Sequence, residues 1–429
     1  MFTKKTIKDI DLKGKTVLLS VDYNTPGDDT GKVTDDYRIL NSLPTLKYLI
    51  KNRCKIVIIS HRGRPEGRPV AKYSLRPVAH RLSELLEKPV QFVSDCIGEH
   101  AEQAKSNLKA GEILVLENTR FHEQEEANDA VFGKQLSAGC DVFVQDAFGN
   151  AHRKHASTVA VTKNLPSAAG LLLEKEVDTI TNVMAKPDRP LMAIIGGAKI
   201  ADKIGVLKKF LDIADIVAVG GAMANTFLLA EGIDIGKSKV DANEVPLAKE
   251  ILAKAKQIAK KRHFVFYLPQ DGVAAISTSS GAHTRIVDWD AHVIATIENY
   301  PSKPARSASQ VHPDELILDI GPFSGAFIAG SMQLANTVVW NGTMGVTETA
   351  ALHDPIGPFA HGTELLVDAM LGEYGHRPFS LVGGGDTVGY VAGRGLTEHF
   401  NHVSTGGGAS LELLSGNKLP AVEALVNKK

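Results

Sequence analysis

The sequence predicts an α/β protein with two doubly wound, Rossmann-like domains, each built on a parallel sheet and joined by a helix hinge. Three observations support this prediction. The chain of 429 residues is long for a single core, and two domains of about 200 residues each are expected for that length. Short apolar runs alternate with segments of helical spacing, which is typical of parallel strands connected by helices. A helical segment near the middle of the chain divides these runs into two groups.

Ten short apolar runs are predicted to be strands. Runs of this kind, without polar alternation, indicate strands that are buried on both faces, as in a parallel sheet. In chain order the runs are residues 17–19, 56–59, 113–116, 142–144, 191–195, 216–219, 264–268, 316–318, 337–340 and 379–382.

A helix-breaking stretch followed by a helix marks the predicted boundary between the domains. Pro166 and Gly170 precede a segment of helical spacing over residues 171–186, and Pro190 prevents its continuation. We expect a first domain at residues 1–170 and a second at residues 187–405. Residues 277–309 are rich in Ser, Thr, Gly and Pro, which predicts a long surface loop with one ordered stretch near residues 286–289.

Composition excludes several classes of protein. The formal net charge of -1 gives no overall attraction to nucleic acid or to an anionic membrane. The three cysteines have no paired or zinc-ligand spacing, so we expect buried thiols in a reducing compartment. The first residues contain Asp9 and Asp11 and no apolar core segment, which argues against a targeting peptide. No stretch approaches the ~18 apolar residues of a membrane span, so a cytoplasmic location is expected.

Two glycine triplets near the C-terminus each follow a short apolar run. They are Gly383–Gly385, followed by Asp386 and Thr387, and Gly406–Gly408. A strand that runs into glycines and then into a helix leaves main-chain N–H groups free at the helix start, where a phosphate can approach closely. Two such turns predict a site for a polyphosphate and therefore for a nucleotide.

The residues that follow the predicted strands differ between the two halves. In the first half they are charged or polar, and in the second half they are mostly glycine. In open α/β sheets the carboxyl ends of the strands form the ligand crevice. The difference predicts an anion pocket made of side chains in the first half and a nucleotide pocket made largely of main chain in the second. The predicted cations of the anion pocket are Arg38, His61, Arg64, Arg120, His152 and Arg153.

Two lysines follow a glycine pair in the second half. Lys199 and Lys203 come directly after Gly196 and Gly197, and a spacing of four residues predicts both ammonium groups on one helical face. Two like charges held together favour an anion between them. By contrast, the segment 232–238 imitates a phosphate-binding P-loop but has three residues between its glycines where the motif has four, and we reject it.

In combination these residues resemble the phosphoglycerate kinase family over essentially the whole chain. Each motif alone is weak, but ten of them in the order of the family are highly specific. The motifs lie at residues 21–24, 34–38, 60–65, 116–121, 146–153, 196–203, 236–238, 340–348, 383–387 and 404–412.

The resemblance implies reversible phosphoryl transfer from 1,3-bisphosphoglycerate to ADP, giving 3-phosphoglycerate and ATP, with Mg²⁺ as cofactor. It implies that the first domain holds the phosphoglycerate and the second the nucleotide, that the two close about the linking helix, and that residues 406–429 return to the first domain. The implied phosphoglycerate-binding residues are Asp22, Tyr23, Asn24, Arg38, His61, Arg62, Gly63, Arg64, Arg120 and Arg153. The implied nucleotide-binding residues are Lys203, Glu348, Gly384, Gly385, Asp386 and Thr387, with Asp386 holding the metal. The implied catalytic residues are Arg38, Lys199, Lys203, Gly385 and Gly408.

The chain departs from the family at a few positions. Ser20 stands where the family usually has arginine, and Arg62 stands where it has leucine. We expect Arg62 to point to solvent, so that its replacement by leucine leaves the affinity for 3-phosphoglycerate within about 0.5 kcal/mol; the alternative is that Arg62 supplies the missing cation. Phe323, Thr343 and Thr347 also differ, which leaves nucleotide preference open.

Two other functions compete with a kinase. A phosphoglycerate-kinase-fold binding protein with weakened catalysis would be favoured by loss of Arg38, Lys199 or Asp386, and all three are present. A dinucleotide-dependent dehydrogenase would be favoured by a GxGxxG motif after an early strand, which is absent. We expect a monomer that binds neither nucleic acid nor a membrane.

Overall fold

The computed structural model describes residues 2–289, 310–352 and 356–428, and the chain divides into two compact units. Unit 1 contains residues 1–181, 405–413 and 417–429, and unit 2 contains residues 182–404 and 414–416. The part of the predicted loop at residues 290–309 lies outside the described residues.

Unit 1 is built on a six-stranded parallel sheet. The strands are Thr16–Ser20 (β1), Lys55–Ile59 (β2), Val90–Val93 (β3), Ile113–Leu116 (β4), Val142–Gln145 (β5) and Ser167–Ala169 (β6). Their order across the sheet is β3-β4-β2-β1-β5-β6, and every neighbouring pair is parallel. The four predicted strands of this half are present, whereas β3 and β6 were not predicted because their residues are less apolar or too few to form a run.

Helices connect these strands. They are Tyr37–Lys51 (α1), Arg76–Leu86 (α2), Glu99–Asn107 (α3), Glu123–Glu126 (α4) and Ala130–Ser137 (α5). Local chemistry fixes their ends: Asp129 accepts a hydrogen bond from the Phe132 N–H at 2.7 Å and so caps α5. The segment predicted to be a helix over residues 171–186 is the helix Leu171–Ala185 (α6).

The described residues of unit 2 form two sheets. Its strands are Leu191–Ile195 (β7), Ile216–Val219 (β8), Val265–Tyr267 (β9), Asp271–Ala275 (β10), Arg285–Asp288 (β11), Leu316–Ile320 (β12), Thr337–Asn341 (β13), Phe379–Gly383 (β14) and His402–Val403 (β15). Six of them form a parallel sheet in the order β15-β14-β13-β7-β8-β9, and the other three form a small sheet in the order β11-β10-β12.

The small sheet corrects one prediction. The run at residues 316–318 was predicted to be a buried parallel strand, but β12 pairs antiparallel with β10, which also pairs antiparallel with β11. An apolar run does not reveal the direction of its partner. The ordered stretch predicted near residues 286–289 is confirmed in β11.

The helices of unit 2 begin with Ile204–Ile213 (α7), Gly221–Ala230 (α8) and Val245–Ala259 (α9), followed by Pro322–Met332 (α10), His361–Leu371 (α11) and Gly385–Gly393 (α12). Two last helices, Gly407–Leu414 (α13) and Pro420–Glu423 (α14), lie almost entirely in unit 1. There the C-terminal segment is tied to the start of the chain, because Lys5 N–H donates to the Val426 carbonyl at 2.8 Å and Lys428 N–H to that of Thr3 at 2.8 Å. Within the described residues, no helix combines the length and the apolar character needed to cross a membrane.

Candidate functional site

In unit 1, charged side chains gather at the carboxyl ends of the parallel strands. Asp22 follows β1, and its Oδ2 accepts a hydrogen bond from Arg38 Nη1 on α1 at 2.7 Å. Burial would raise the pKa of Asp22, but the nearby positive charge of Arg38 and the hydrogen bonds that the carboxylate accepts together outweigh burial and hold that pKa below its ordinary value. The carboxylate therefore stays ionised and orients the half-exposed guanidinium.

His61 lies at the centre of this cluster. It interacts electrostatically with Asp22, Arg38, Arg120 and Arg153, which shows that the structure brings these predicted residues together. Burial and the neighbouring arginines lower its pKa to about 3, and the amide of Asn150 donates to its Nδ1 at 2.9 Å. The prediction that His61 is a cation is wrong: the ring is neutral, and its Nε2 carries the proton that it can donate to an anion.

Arg120 supplies a buried guanidinium. The residue is 3 % exposed, and its Nη1 donates to the Gly63 carbonyl at 3.0 Å. Its Nη2 is buried and has no hydrogen-bond partner within the part of the chain that the structure describes. A buried donor without a partner is costly, and an anion would satisfy it. Arg64, also predicted here, is exposed.

Two predicted residues point elsewhere. The Tyr23 ring is 0 % exposed, and its hydroxyl lies 2.8 Å from that of Ser42 in the core. Its N–H donates to Ser60 Oγ at 2.8 Å, and its carbonyl accepts the Thr25 N–H at 2.7 Å. The prediction that Arg62 points to solvent is wrong, because Arg62 is 3 % exposed. Its guanidinium donates to the carbonyls of Gly31 at 2.7 Å, Thr25 at 3.2 Å and Ser74 at 3.3 Å. Its N–H groups are thus largely occupied by the main chain.

In unit 2, the first glycine triplet forms the predicted strand–turn–helix. β14 ends at Gly383, and Gly384 precedes α12 with a φ of +90°, a conformation that favours glycine. Asp386 is exposed in the first turn of α12, and the Thr387 hydroxyl accepts the Gly342 N–H at 2.7 Å. The N–H groups at this helix start are therefore accessible to an anion.

Lys203 is held beside this turn. Its Nζ donates to the carbonyl oxygen of Asn341 at 2.8 Å and to the Oδ1 at 2.6 Å. Burial lowers the pKa of Lys203 to about 8, although the nearby carboxylate of Asp386 acts in the opposite direction. The ammonium, the carboxylate and the helix start thus lie close together.

Lys199 lies differently from the prediction. The helix α7 begins only at Ile204, after a 3₁₀ turn at Ala201–Lys203, so Lys199 and Lys203 do not share a helical face. Lys199 is exposed, whereas Lys203 is half-buried and hydrogen-bonded to Asn341.

A cavity of about 350 Å³ opens beside these residues in unit 2. Its apolar lining includes Leu228, Leu318 and Met344, and the side chains of Glu348 and Asp386 lie among the lining residues. A cavity with mostly apolar walls and a few polar groups suits an aromatic base with a charged tail.

The second glycine triplet also opens a helix. Gly407 and Gly408 begin α13, and Gly408 packs so closely against His152 that a Cβ would lie 2.8 Å from the His152 Nε2. Both belong to unit 1. The strand before this triplet, β15, has only two residues.

A family model described as phosphoglycerate kinase matches residues 7–417. The chain belongs to the phosphoglycerate kinase family. It is 43 % identical to the phosphoglycerate kinase of Pelotomaculum thermopropionicum over 99 % of this chain and 100 % of that one. It is 44 % identical to that of Chloroflexus aurantiacus over 98 % of each.

Solved structures agree with this assignment. The phosphoglycerate kinase of Coxiella burnetii superposes with a TM-score of 0.80 at 34 % identity, covering 98 % of both chains. That of Pyrococcus horikoshii gives a TM-score of 0.80 at 31 % identity, covering 99 % of this chain and 98 % of the other. The predicted family, phosphotransferase class and doubly wound α/β fold are confirmed, and nothing favours the non-catalytic alternative.

Two asparagines in the sites were not predicted as site residues. Asn150 fixes the orientation of His61, and Asn341 holds Lys203. Both lie within segments that carry the phosphoglycerate kinase resemblance, and Asn341 stands at a strand end. Those two signals could have identified them.

The structure also assembles a small cluster that the sequence did not predict. Ligand atoms of Asp95, Cys96 and His122 lie within 4.8 Å of one another. These three residues have no zinc-ligand spacing in the sequence, so their proximity is a product of the fold. A hydrogen bond of 2.8 Å between His122 Nε2 and Asp95 Oδ1 accounts for the closeness of these two, and we assign no ion to the cluster.

Proposed function

We propose that the chain transfers a phosphoryl group between 1,3-bisphosphoglycerate and ADP, with the phosphoglycerate on unit 1 and the nucleotide on unit 2. The observation that carries this proposal is the gathering of Arg38, Arg120 and Arg153 around a neutral His61. One guanidinium can donate two parallel hydrogen bonds to a phosphate or carboxylate group. A small molecule with several negative charges would therefore accept the hydrogen bonds that these arginines offer.

On unit 1, the buried Nη2 of Arg120 and the exposed Arg64 are proposed to hold phosphate oxygens, with Asp22 orienting Arg38. The Asn24 side chain accepts the Gly63 N–H at 2.8 Å, which fixes the turn that carries Arg64. Asp22 and Asn24 would define the position of the substrate hydroxyl and carboxylate.

On unit 2, the base is proposed to lie in the cavity and the phosphates at the start of α12. Glu348 would accept hydrogen bonds from the ribose hydroxyls, and the N–H groups of Gly384, Gly385 and Thr387 would surround the phosphates. Lys203 would neutralise phosphate charge, because its ammonium lies near Asp386 and therefore near the first turn of α12, where the phosphates are proposed to bind.

The residues fit Mg²⁺. This ion is usually held by one or two carboxylates together with phosphates and waters, and Asp386 offers one exposed carboxylate at the phosphate-binding turn. Bound there, Mg²⁺ would neutralise charge on the nucleotide phosphates. The proposed role of Asp386 is therefore that of a ligand to Mg²⁺.

The chemistry needs no general base. A terminal phosphate oxygen of ADP attacks the phosphorus of the acyl phosphate, the P–O bond to the acyl group breaks, and the carboxylate leaves with the electron pair. Charge spreads over the equatorial oxygens in the transition state, so cations and N–H groups carry the catalysis. Arg38, Lys199, Lys203 and the N–H groups of Gly385 and Gly408 are the proposed donors. Closure about α6, a monomeric state and a cytoplasmic location stay predictions.

A coupled assay tests the proposal directly. The purified chain should form ATP from 1,3-bisphosphoglycerate and ADP, and should do so only when Mg²⁺ is supplied. A chain that binds both substrates in calorimetry yet forms no ATP would favour the binding-protein alternative.

Glu348→Ala should weaken ADP binding about tenfold while leaving the affinity for 3-phosphoglycerate within twofold, because one charged hydrogen-bonding group to the ribose is lost. Titration calorimetry with each ligand measures both effects. Equal losses for the two ligands would contradict the assignment of one substrate to each unit.

The affinity for ADP should fall as the pH rises through about 8. Burial holds the pKa of Lys203 at about 8, so its charge is present below that pH and is lost above it. Lys203→Arg, whose charge persists to much higher pH, should bind ADP with no fall in this range. A wild-type affinity that is unchanged between pH 7 and 9.5 would remove Lys203 from phosphate binding.

A further inference from the structure

Trp289 lies at one wall of the nucleotide cavity. It directly follows β11, and its side chain is among the residues that line the cavity, together with Leu316, Leu318 and Val346. Trp289 is only partly buried and packs against the small apolar cluster of Ala274, Val287 and Val311. The indole is thus anchored on one side and open to the cavity on the other.

Two contacts fix the indole. Its Nε1 donates to the Pro269 carbonyl at 3.0 Å. Its six-membered ring lies over Gly272, where a Cβ would come within 3.1 Å of Cζ3 and Cη2. Glycine at this position therefore lets the ring pack directly on the main chain of β10.

The direction of the N–H decides what the side chain can offer a ligand. Indole has one hydrogen-bond donor, and here the protein main chain already accepts it. What remains toward the cavity is aromatic surface. Such surface attracts another flat ring through stacking or edge-to-face contact, and it does not distinguish the hydrogen-bonding edges of that ring.

We propose that Trp289 contacts the nucleobase and favours purine over pyrimidine nucleotides through the larger ring area of purines. This inference rests on the proposed function, since it requires that the cavity hold the base. It assigns a specificity-determining contact to the residue that directly follows β11.

Trp289→Ala tests the contact. Loss of one aromatic partner of a base is worth about 1–3 kcal/mol, so ADP should bind roughly tenfold more weakly. UDP should lose less, and pyrophosphate, which has no base, should bind as in the wild type. Trp289→Phe should recover most of the ADP affinity, because it restores an aromatic face. Trp289→Leu retains side-chain volume but has no aromatic face, so it replaces the alanine variant in these measurements if that variant does not fold.

Ile286→Ala is the matched control. Ile286 lies on the same strand but is 50 % exposed and is not part of the cavity lining. It should leave all three affinities unchanged. Equal losses for ADP and pyrophosphate in Trp289→Ala, or no loss for ADP, would overturn the inference. ATP formation by the wild-type chain is measured separately, so a failure of the proposed function is distinguishable from a failure of this contact.

Discussion

Lys199→Ala is expected to lower kcat by roughly 10²-fold or more, with a smaller change in KM. Lys199 follows the glycine pair at the end of β7 and is exposed, and within the described residues the structure records no hydrogen bond or ion pair of its side chain. An ammonium that is free in the resting protein can interact with charge that develops only during transfer. Removing one such donor costs about 10²–10³-fold in other enzymes.

The split between kcat and KM distinguishes this role from simple attraction. A group that binds ground state and transition state equally changes KM alone. Lys249→Ala is the control, because Lys249 is exposed on α9 in the same unit and belongs to neither site. It should leave both constants unchanged. A Lys199→Ala enzyme with near wild-type kcat would remove Lys199 from the mechanism.

The sequence allowed the parallel sheets to be predicted because their strands are apolar on both faces. β7 and β13 are buried along their whole length, and this burial appears directly as an uninterrupted apolar run. β6 and β15 have three and two residues, so they leave no such run, and their pairing depends on the neighbouring strand. Antiparallel pairing in the small sheet is likewise set by tertiary contacts.

The candidate sites divide in a similar way. Positions at strand ends, such as Asp22 and Arg120, follow from the rule that these ends meet at one edge of the sheet. The protonation state of His61 cannot be predicted from that rule, because its pKa depends on burial and on three arginines that are distant in sequence. Arg62 was misjudged for the same reason: a charged residue is usually exposed, and only the folded loop provides the carbonyls that accept its hydrogen bonds.

Arg62→Leu is expected to lower the free energy of unfolding by about 2–4 kcal/mol. The substitution removes the donor for the carbonyls of Thr25, Gly31 and Ser74, and each buried acceptor left unsatisfied costs about 1–3 kcal/mol, part of which water recovers. Burial lowers the pKa of this guanidinium, and an arginine side chain stays charged in proteins. Leucine, the usual family residue, fills the space but offers no donor.

Denaturant unfolding measures the loss, and hydrogen exchange locates it. Exchange should accelerate in residues 25–34, whose loop Arg62 ties to the carbonyl of Ser74. Arg68→Leu is the control, since Arg68 is 75 % exposed and its ion pair with Glu66 spans 3.6 Å; it should change stability by less than about 0.5 kcal/mol. The affinity of the folded Arg62→Leu variant for 3-phosphoglycerate is measured separately, and it is expected to stay within about 0.5 kcal/mol of the wild type. Equal stability of the Arg62 and Arg68 variants would show that water replaces the guanidinium at no cost, and that the loop is held by other contacts.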